Sequence, residues 1–277
     1  MKKVNGDHIR EAKILLMDTE CSPTLSWNYG QRETNAIRVE KPPVLLSVAW
    51  KWLGEKKTDC ISIADTPLED RFDCSLVVDK LWELFNEANV VIAHNIRFDV
   101  PLSNAFFLRY KKNPPSPYKT FCTLQTARRF FRVDNNKLDY LGELLGVGRK
   151  EKITNADTWY DVLFSDGKTR RQANELLKKY NRQDVDLLEQ IYLKLRPFTH
   201  SHPNVALASG NMDCCPKCGA SKGFRIRAYR YTGTQITGVQ YSCDSCHSYV
   251  TRPLDKEERD ALKEKGQFKS TFRNSTP

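Results

Sequence analysis

The sequence lacks any uninterrupted apolar run long enough to cross a bilayer as a helix, for which about 18–20 residues are needed. Its start, Met1-Lys2-Lys3-Val4-Asn5-Gly6-Asp7, also lacks the apolar segment of a secretory signal. These two absences argue against a membrane partner and for a cytoplasmic protein. Without a signal for export, a disulfide framework is not expected, although the chain holds nine cysteines. Internal repeats are missing as well. Acidic residues are in deficit, 34 against 44 basic ones, and the resulting net charge of +10 favours a polyanionic partner.

What is present suffices for one sizeable α/β domain and a small appendage in 277 residues, 40% of them hydrophobic. The apolar run Ile14-Leu15-Leu16-Met17 reads as a buried strand. Residues 44–53 and 58–64 read as a hairpin beside it, joined by the turn signal Gly54-Glu55-Lys56-Lys57. Helical spacing over 76–87 offers Leu76, Leu81, Leu84 and Phe85 for a buried face. Residues 89–93 form a second short strand, and His94 to Asp99 open a helix in which His94 and Phe98 are packing residues. Three prolines make 111–117 a loop. A short strand at 120–123 follows, then helices over 125–131, 138–145 and 170–195. The β-β-β-α-β-α order predicts a ribonuclease H-like mixed sheet flanked by helices.

Asp18-Thr-Glu20 ends the first strand, and alternate strand residues share a face, so the two carboxylates converge. Carboxylates held that close repel and resist ionisation unless a cation neutralises them. Two partners for such a cation site are visible. Asp99 stands at a strand-to-helix junction, and Tyr180 and Asp184, four residues apart on the long helix, stack on one face. The remaining acidic residues, among them Asp134, Asp139, Asp157, Asp161, Asp166 and Asp186, have no such pairing and read as surface groups.

In order and separation these three motifs resemble those of the DEDD exonucleases in the tyrosine-bearing subclass. The histidine-bearing subclass would place a histidine where this chain has Lys179. The resemblance covers roughly residues 12–196; with the cysteine-rich tail it extends to phage and bacterial nucleases carrying a C-terminal zinc ribbon. It implies a 3′–5′ exonuclease that uses two Mg²⁺ or Mn²⁺ ions. Asp18 would bridge both, Glu20 and Asp184 would complete one, Asp99 would hold the other, and Tyr180 would position the attacking water. The implied substrate is single-stranded DNA or RNA with a free 3′ end, met in the host cytoplasm if the protein is phage-encoded.

Cys215-Pro-Lys-Cys218 and Cys243-Asp-Ser-Cys246 form two C-x₂-C knuckles, a set that suits one structural Zn²⁺. Cys214 offers a second register, and His247 stands where glycine often follows such a knuckle. Across 214–252 there are six basic residues and one acidic one, so this span carries +5 of the net charge. Arg225, Arg227 and Arg230, with Tyr229 and Tyr231, are candidates for phosphate contact and base stacking, as is Asn95 near the carboxylates. The expected organisation is a nuclease domain over 1–196, a linker over 197–213, and a ribbon with a charged tail over 214–277. That tail carries one helix near 254–265 and ends in disorder. A structure-specific endonuclease and a non-catalytic nucleic-acid-binding ribbon protein are the competing functions.

Overall fold

The computed structural model describes residues 12–30, 32, 35–65, 70–150, 156–233 and 235–264. The expected disorder of the last residues, and the N-terminal segment read for a signal, lie outside the described residues. Two compact units are present, one from Ala12 to Leu195 and the other from Arg196 onward.

The first unit runs β1 (Ile14–Cys21), β2 (Leu25–Trp27), β3 (Arg38–Lys41), β4 (Leu45–Trp52), β5 (Asp59–Ser62), α1 (Ser75–Glu87), β6 (Val90–Ala93), α2 (Ile96–Arg109) and β7 (Lys119–Cys122). It continues with α3 (Thr123–Phe130), α4 (Leu138–Leu144), α5 (Ala156–Phe164) and α6 (Gly167–Leu195). Five strands form a mixed sheet in the order β5-β4-β1-β6-β7. β4 runs antiparallel to β1 and β5, while β1, β6 and β7 are parallel. This is the ribonuclease H-like mixed sheet flanked by helices that the sequence predicts. Ile14 to Met17 and all of β6 are buried because strands flank them on both sides and helices cover the faces. The parallel strands β1 and β6 pair only over Ile14 to Leu16, so β1 runs on past the end of β6 and carries Asp18 and Glu20 beyond it. The crevice at the carboxyl ends of such strands is where ligands bind in open α/β sheets.

Three local expectations need correction. The buried face of α1 comprises Val77, Val78, Leu81, Leu84 and Phe85, and Leu76 is only partly buried. That set repeats at i, i+1, i+4, i+7 and i+8, which turns Leu76 to the edge of the apolar stripe. Phe98 is not a packing residue but half exposed, at 50%. The β2–β3 hairpin and α5 have no counterpart in the sequence pattern. The hairpin's strands are three and four residues long and almost wholly exposed, so no alternation marks them.

α6 packs on β4, β1 and β5 on one side and on α4 and α5 on others. Leu177, Val185, Leu188, Ile191 and Leu195 form its core stripe. Gly142 makes the close approach of α4 to α6 possible. A Cβ there would lie 2.5 Å from the carbonyl oxygen of Gly148 and 2.8 Å from Leu187 Cδ1. The turn at 146–148 folds back over this glycine and leads directly into Lys150.

The second unit contains a 3₁₀ turn (Arg196–Phe198), α7 (Val205–Ser209), β8 (Phe224–Thr232), β9 (Gln235–Cys243), β10 (Tyr249–Pro253) and α8 (Lys256–Glu264), the tail helix expected from sequence. Its strands form an antiparallel sheet in the order β10-β9-β8. Residues 199–217 are tied together: Val205 N donates to Pro216 O at 2.7 Å, and Lys217 Nζ donates to Thr199 O at 2.6 Å. Among the described residues no helix is long and apolar enough to cross a membrane.

Candidate functional site

β1 delivers Asp18 and Glu20 to one face, and α6 delivers Asp184 from above. One oxygen from each of the three lies within 4.8 Å of the others. Burial pushes the Asp18 carboxyl well above the usual range, and the charges of Asp99, Asp184 and Glu20 push it further. Glu20 is raised to about 7, first by burial and then by Asp184, against the opposing pull of Lys150 and of a hydrogen bond from Trp159. Asp184 is raised by burial despite its contact with Lys150. Such a set is unfavourable as bare anions.

Asp99 is buried in the first turn of α2, outside that 4.8 Å group yet close enough to raise Asp18. Thr19 Oγ1 donates to its Oδ1 at 2.7 Å. Thr19 lies between Asp18 and Glu20 in β1. Burial lifts the Asp99 carboxyl to about 6, with the Thr19 bond opposing. His94, at the end of β6, is a packing residue as expected: its Nδ1 meets Thr123 Oγ1 at 2.9 Å, and burial lowers its pKa to about 4. Asn95 sits at φ +74° as the residue before α2, exposed and without a capping hydrogen bond from its side chain. Exposed Phe98 lies one residue before Asp99.

Lys150 was not singled out by the sequence, yet its Nζ is ion-paired with Asp184 Oδ2 and lies 3.2 Å from Tyr180 Oη. Its backbone N donates to Asp139 Oδ1 at 2.8 Å, so Asp139 is an anchor for this segment and not a plain surface group. Burial opposes the ammonium's charge, but Asp184 and Tyr180 outweigh it and hold Lys150 protonated. Tyr180 packs edge-on against Trp159 at 6.2 Å, and burial followed by the charge of Asp184 raises its phenol above the ordinary value. Nothing in the pattern around Lys150 or Trp159 signals their place, because both arrive through packing of α4, α5 and α6.

The donor set tests well for a metal. Three carboxylates converge, Asp184 buried and Asp18 and Glu20 partly so, and Asp184 Oδ1 has no hydrogen-bond partner while Oδ2 takes Lys150. Oxygen donors of this kind suit hard divalent cations.

In the second unit the sulfurs of Cys215, Cys218, Cys243 and Cys246 also lie within 4.8 Å of one another. Cys215 and Cys246 Sγ are 3.8 Å apart, and Cys218 and Cys243 Sγ 3.7 Å. A regular tetrahedron with Zn–S bonds of about 2.3 Å has edges of about 3.8 Å. The four thiols therefore fit zinc and are too far apart for disulfides, and all nine cysteines are free. Cys214 stands outside the group, its Sγ donating to Asn211 O at 3.0 Å, and His247 is exposed and also outside it.

The ribbon candidates are placed unequally. Arg225 Nε pairs with Asp244 Oδ1 at 3.0 Å, and Arg227 Nε donates to Ser242 Oγ at 3.0 Å. A register shift between Ile226 and Ala228 interrupts the alternation, and through their partners Ser242 and Gly238 it brings Arg225 and Arg230 to the same face of the sheet. Tyr229 packs on the Ile236–Val239–Leu254 cluster, whereas Arg230 and Tyr231 are exposed.

No family model matches this sequence, and no curated protein matches it. Among solved structures, one similar chain is the Saccharomyces cerevisiae Pan2 pseudoubiquitin hydrolase-RNA exonuclease module in complex with AAUUAA RNA. It shares 13% identity over 69% of this chain, with a TM-score of 0.33. This chain spans 30% of the length of that one, and at that TM-score the likeness says nothing about function.

Proposed function

We propose that the protein hydrolyses phosphodiester bonds of nucleic acid as a metal-dependent 3′–5′ exonuclease, its chemistry residing in the unit that ends at Leu195. The observation that carries this is the convergence of partly buried Asp18 and Glu20 with buried Asp184, whose carboxyls desolvation and mutual repulsion drive upward, around an unpartnered oxygen of Asp184. Asp18, Glu20, Asp184 and Asp99 would hold two Mg²⁺ or Mn²⁺ ions. When bound, such a pair activates a water and neutralises charge on the phosphoryl and departing oxygens. The end preference and direction come from the family resemblance stated above.

The chain's own groups take the remaining tasks. A phenol raised above its ordinary value stays protonated at neutral pH, so Tyr180 acts by hydrogen-bonding to the attacking water and not as a base. Trp159 fixes Glu20 through its hydrogen bond and backs the Tyr180 ring. Thr19 holds the Asp99 carboxylate in one orientation. Asn95, exposed one turn before Asp99, contacts the substrate strand. The zinc-held ribbon adds phosphate and base contacts through Arg230 and Tyr231; Arg225 and Arg227 contribute less because they are already paired, and Tyr229 supports the ribbon core.

Linear and circular single strands of DNA and RNA, labelled and incubated with Mg²⁺, test this directly. Stepwise mononucleotide release from linear strands with a free 3′ end is the expected outcome. Cutting of the circle would replace it with an endonuclease, and binding without cleavage of any strand would leave a non-catalytic binding protein.

A further inference from the structure

The carboxylate cluster already has a cation of its own. Lys150 Nζ meets Asp184 Oδ2 and Tyr180 Oη, and stands 4.9 Å from the centre of the Tyr180 ring. The contact is built by several elements. Asp139 of α4 fixes the Lys150 backbone, Gly142 lets the 146–148 turn fold against α6, and Arg149 reaches Glu143 at 3.0 Å on the outer side. The backbone that carries the ammonium is thus anchored one residue from a surface ion pair. The side chain alone spans the gap to Asp184. Such a tether holds a flexible four-carbon stem whose compact charge can leave one carboxylate without moving the chain that carries it.

Asp184 presents one oxygen to Lys150 and keeps the other without a partner. A divalent ion held by Asp18, Glu20 and Asp184 would therefore share Asp184 with a fixed positive charge, and like charges at ion-pair distance repel. Removal of that charge would leave three carboxylates with no counter-cation until metal arrives.

We propose that Lys150 is the resident counter-cation of this cluster, neutralising it while metal is absent and weakening the binding of divalent ions by competing for Asp184. The inference rests on the metal-site half of the proposed function. It does not depend on what the protein hydrolyses, nor on whether it hydrolyses anything.

The test is a Mn²⁺ titration of the full-length, zinc-loaded protein without substrate, following free Mn²⁺ by electron paramagnetic resonance. Parent, Lys150→Met and Lys150→Arg are compared, with Lys150→Gln as a second neutral variant should Lys150→Met fold poorly. Loss of the competing charge should tighten Mn²⁺ binding about tenfold in the neutral variants, as expected for one like charge at this range. It should also lower the melting temperature of the metal-free form, while Lys150→Arg should track the parent in both. A purely structural lysine would lower the melting temperature without tightening the metal. Unchanged or weaker Mn²⁺ affinity in a folded neutral variant overturns the proposal, as does an absence of Mn²⁺ binding in every protein. If Mn²⁺ binds as expected and no nucleic acid is cleaved, the nuclease reading falls and this one stands.

Discussion

The thiol cluster takes two cysteines from each of two short turns and sets Cys215 beside Cys246 and Cys218 beside Cys243. The carboxylate cluster joins two residues of the first strand to one near the end of the longest helix. In the ribbon, local backbone hydrogen bonds shape each turn, such as Gly219 N to Cys215 O and His247 N to Cys243 O, both 2.8 Å. In the first unit no local turn brings the carboxylates together, and the sheet and α6 must first pack. The two sites also differ in what the packing costs. The four thiols stand at the spacing of a zinc tetrahedron, whereas the carboxyls are forced upward in pKa by burial and by each other. A structural site is completed by its metal; a reactive one is built from groups kept in an unfavourable state.

The sharpest way to break this comparison is Asp18→Asn, which removes the carboxylate most affected by its neighbours while preserving its size. Hydrolysis should fall below detection while zinc content stays at one per chain. Turnover near that of the parent in a folded Asp18→Asn protein would remove the carboxylate cluster from the chemistry. A milder change is Tyr180→Phe, which deletes the hydroxyl and keeps the ring against Trp159. Turnover at saturating Mg²⁺ should drop on the order of 10²-fold, the range for a positioned acid–base group. Mn²⁺ affinity should move little, since Tyr180 is not a ligand; an unchanged rate would reduce Tyr180 to packing.

A third prediction uses the direction of the carboxyl shifts. Glu20 at about 7 and Asp99 at about 6 both lie above the ordinary values of 4.5 and 3.8. The folded state thus binds protons that the unfolded chain has already released, and linkage makes stability fall as pH rises between the two values. The contribution is complete below the unfolded pKa and is lost as pH climbs through about 7. Without added divalent ion, the melting temperature should decrease between about pH 5 and pH 8, and Mg²⁺ should oppose the decrease. The zinc cluster offers no such trend in this range once its metal is bound. A melting temperature that rises over the same interval would mean that the carboxyls ionise freely.

Much of this contrast is legible in the sequence. The zinc knuckles are a contiguous pattern, and Asp18, Glu20, Asp99, Tyr180 and Asp184 fall on elements whose periodicity is strong: a buried strand, a strand-to-helix junction and a long amphipathic helix. Lys150 and Trp159 are not legible as site residues: Lys150 follows a turn, the spacing of Trp159, Val162 and Leu163 marks only a packed helix face, and both reach the site through tertiary packing. Asp139 looked like a solvated acid for the same reason, since its partner is a backbone N eleven residues on. Leu76 was misplaced by about one-quarter turn of helix phase, which apolar composition does not fix when Val77 and Val78 are equally apolar. Phe98 differs in the opposite sense: the sequence reads it as a packing residue, but in the first turn of α2 it is half exposed.

The smallest expected effect sharpens the comparison inside the ribbon itself. The two knuckles are alike in backbone: the residue after the second cysteine is left-handed in both, Gly219 at φ +78° and His247 at φ +57°. Glycine adopts that region freely, whereas a residue with a Cβ pays about 1–2 kcal/mol. His247 is exposed and is not among the sulfur ligands, so neither burial nor coordination offsets the strain. His247→Gly should therefore stabilise the zinc-loaded ribbon by about 1 kcal/mol, less the extra backbone freedom that glycine gives the unfolded chain. A rise of a few degrees in the melting temperature with unchanged zinc content is the expected result. His247→Ala keeps the strain and should bring no such gain. If His247→Gly instead loses zinc or melts earlier, the imidazole is contributing to the knuckle, and the fourth ligand position must be reassigned.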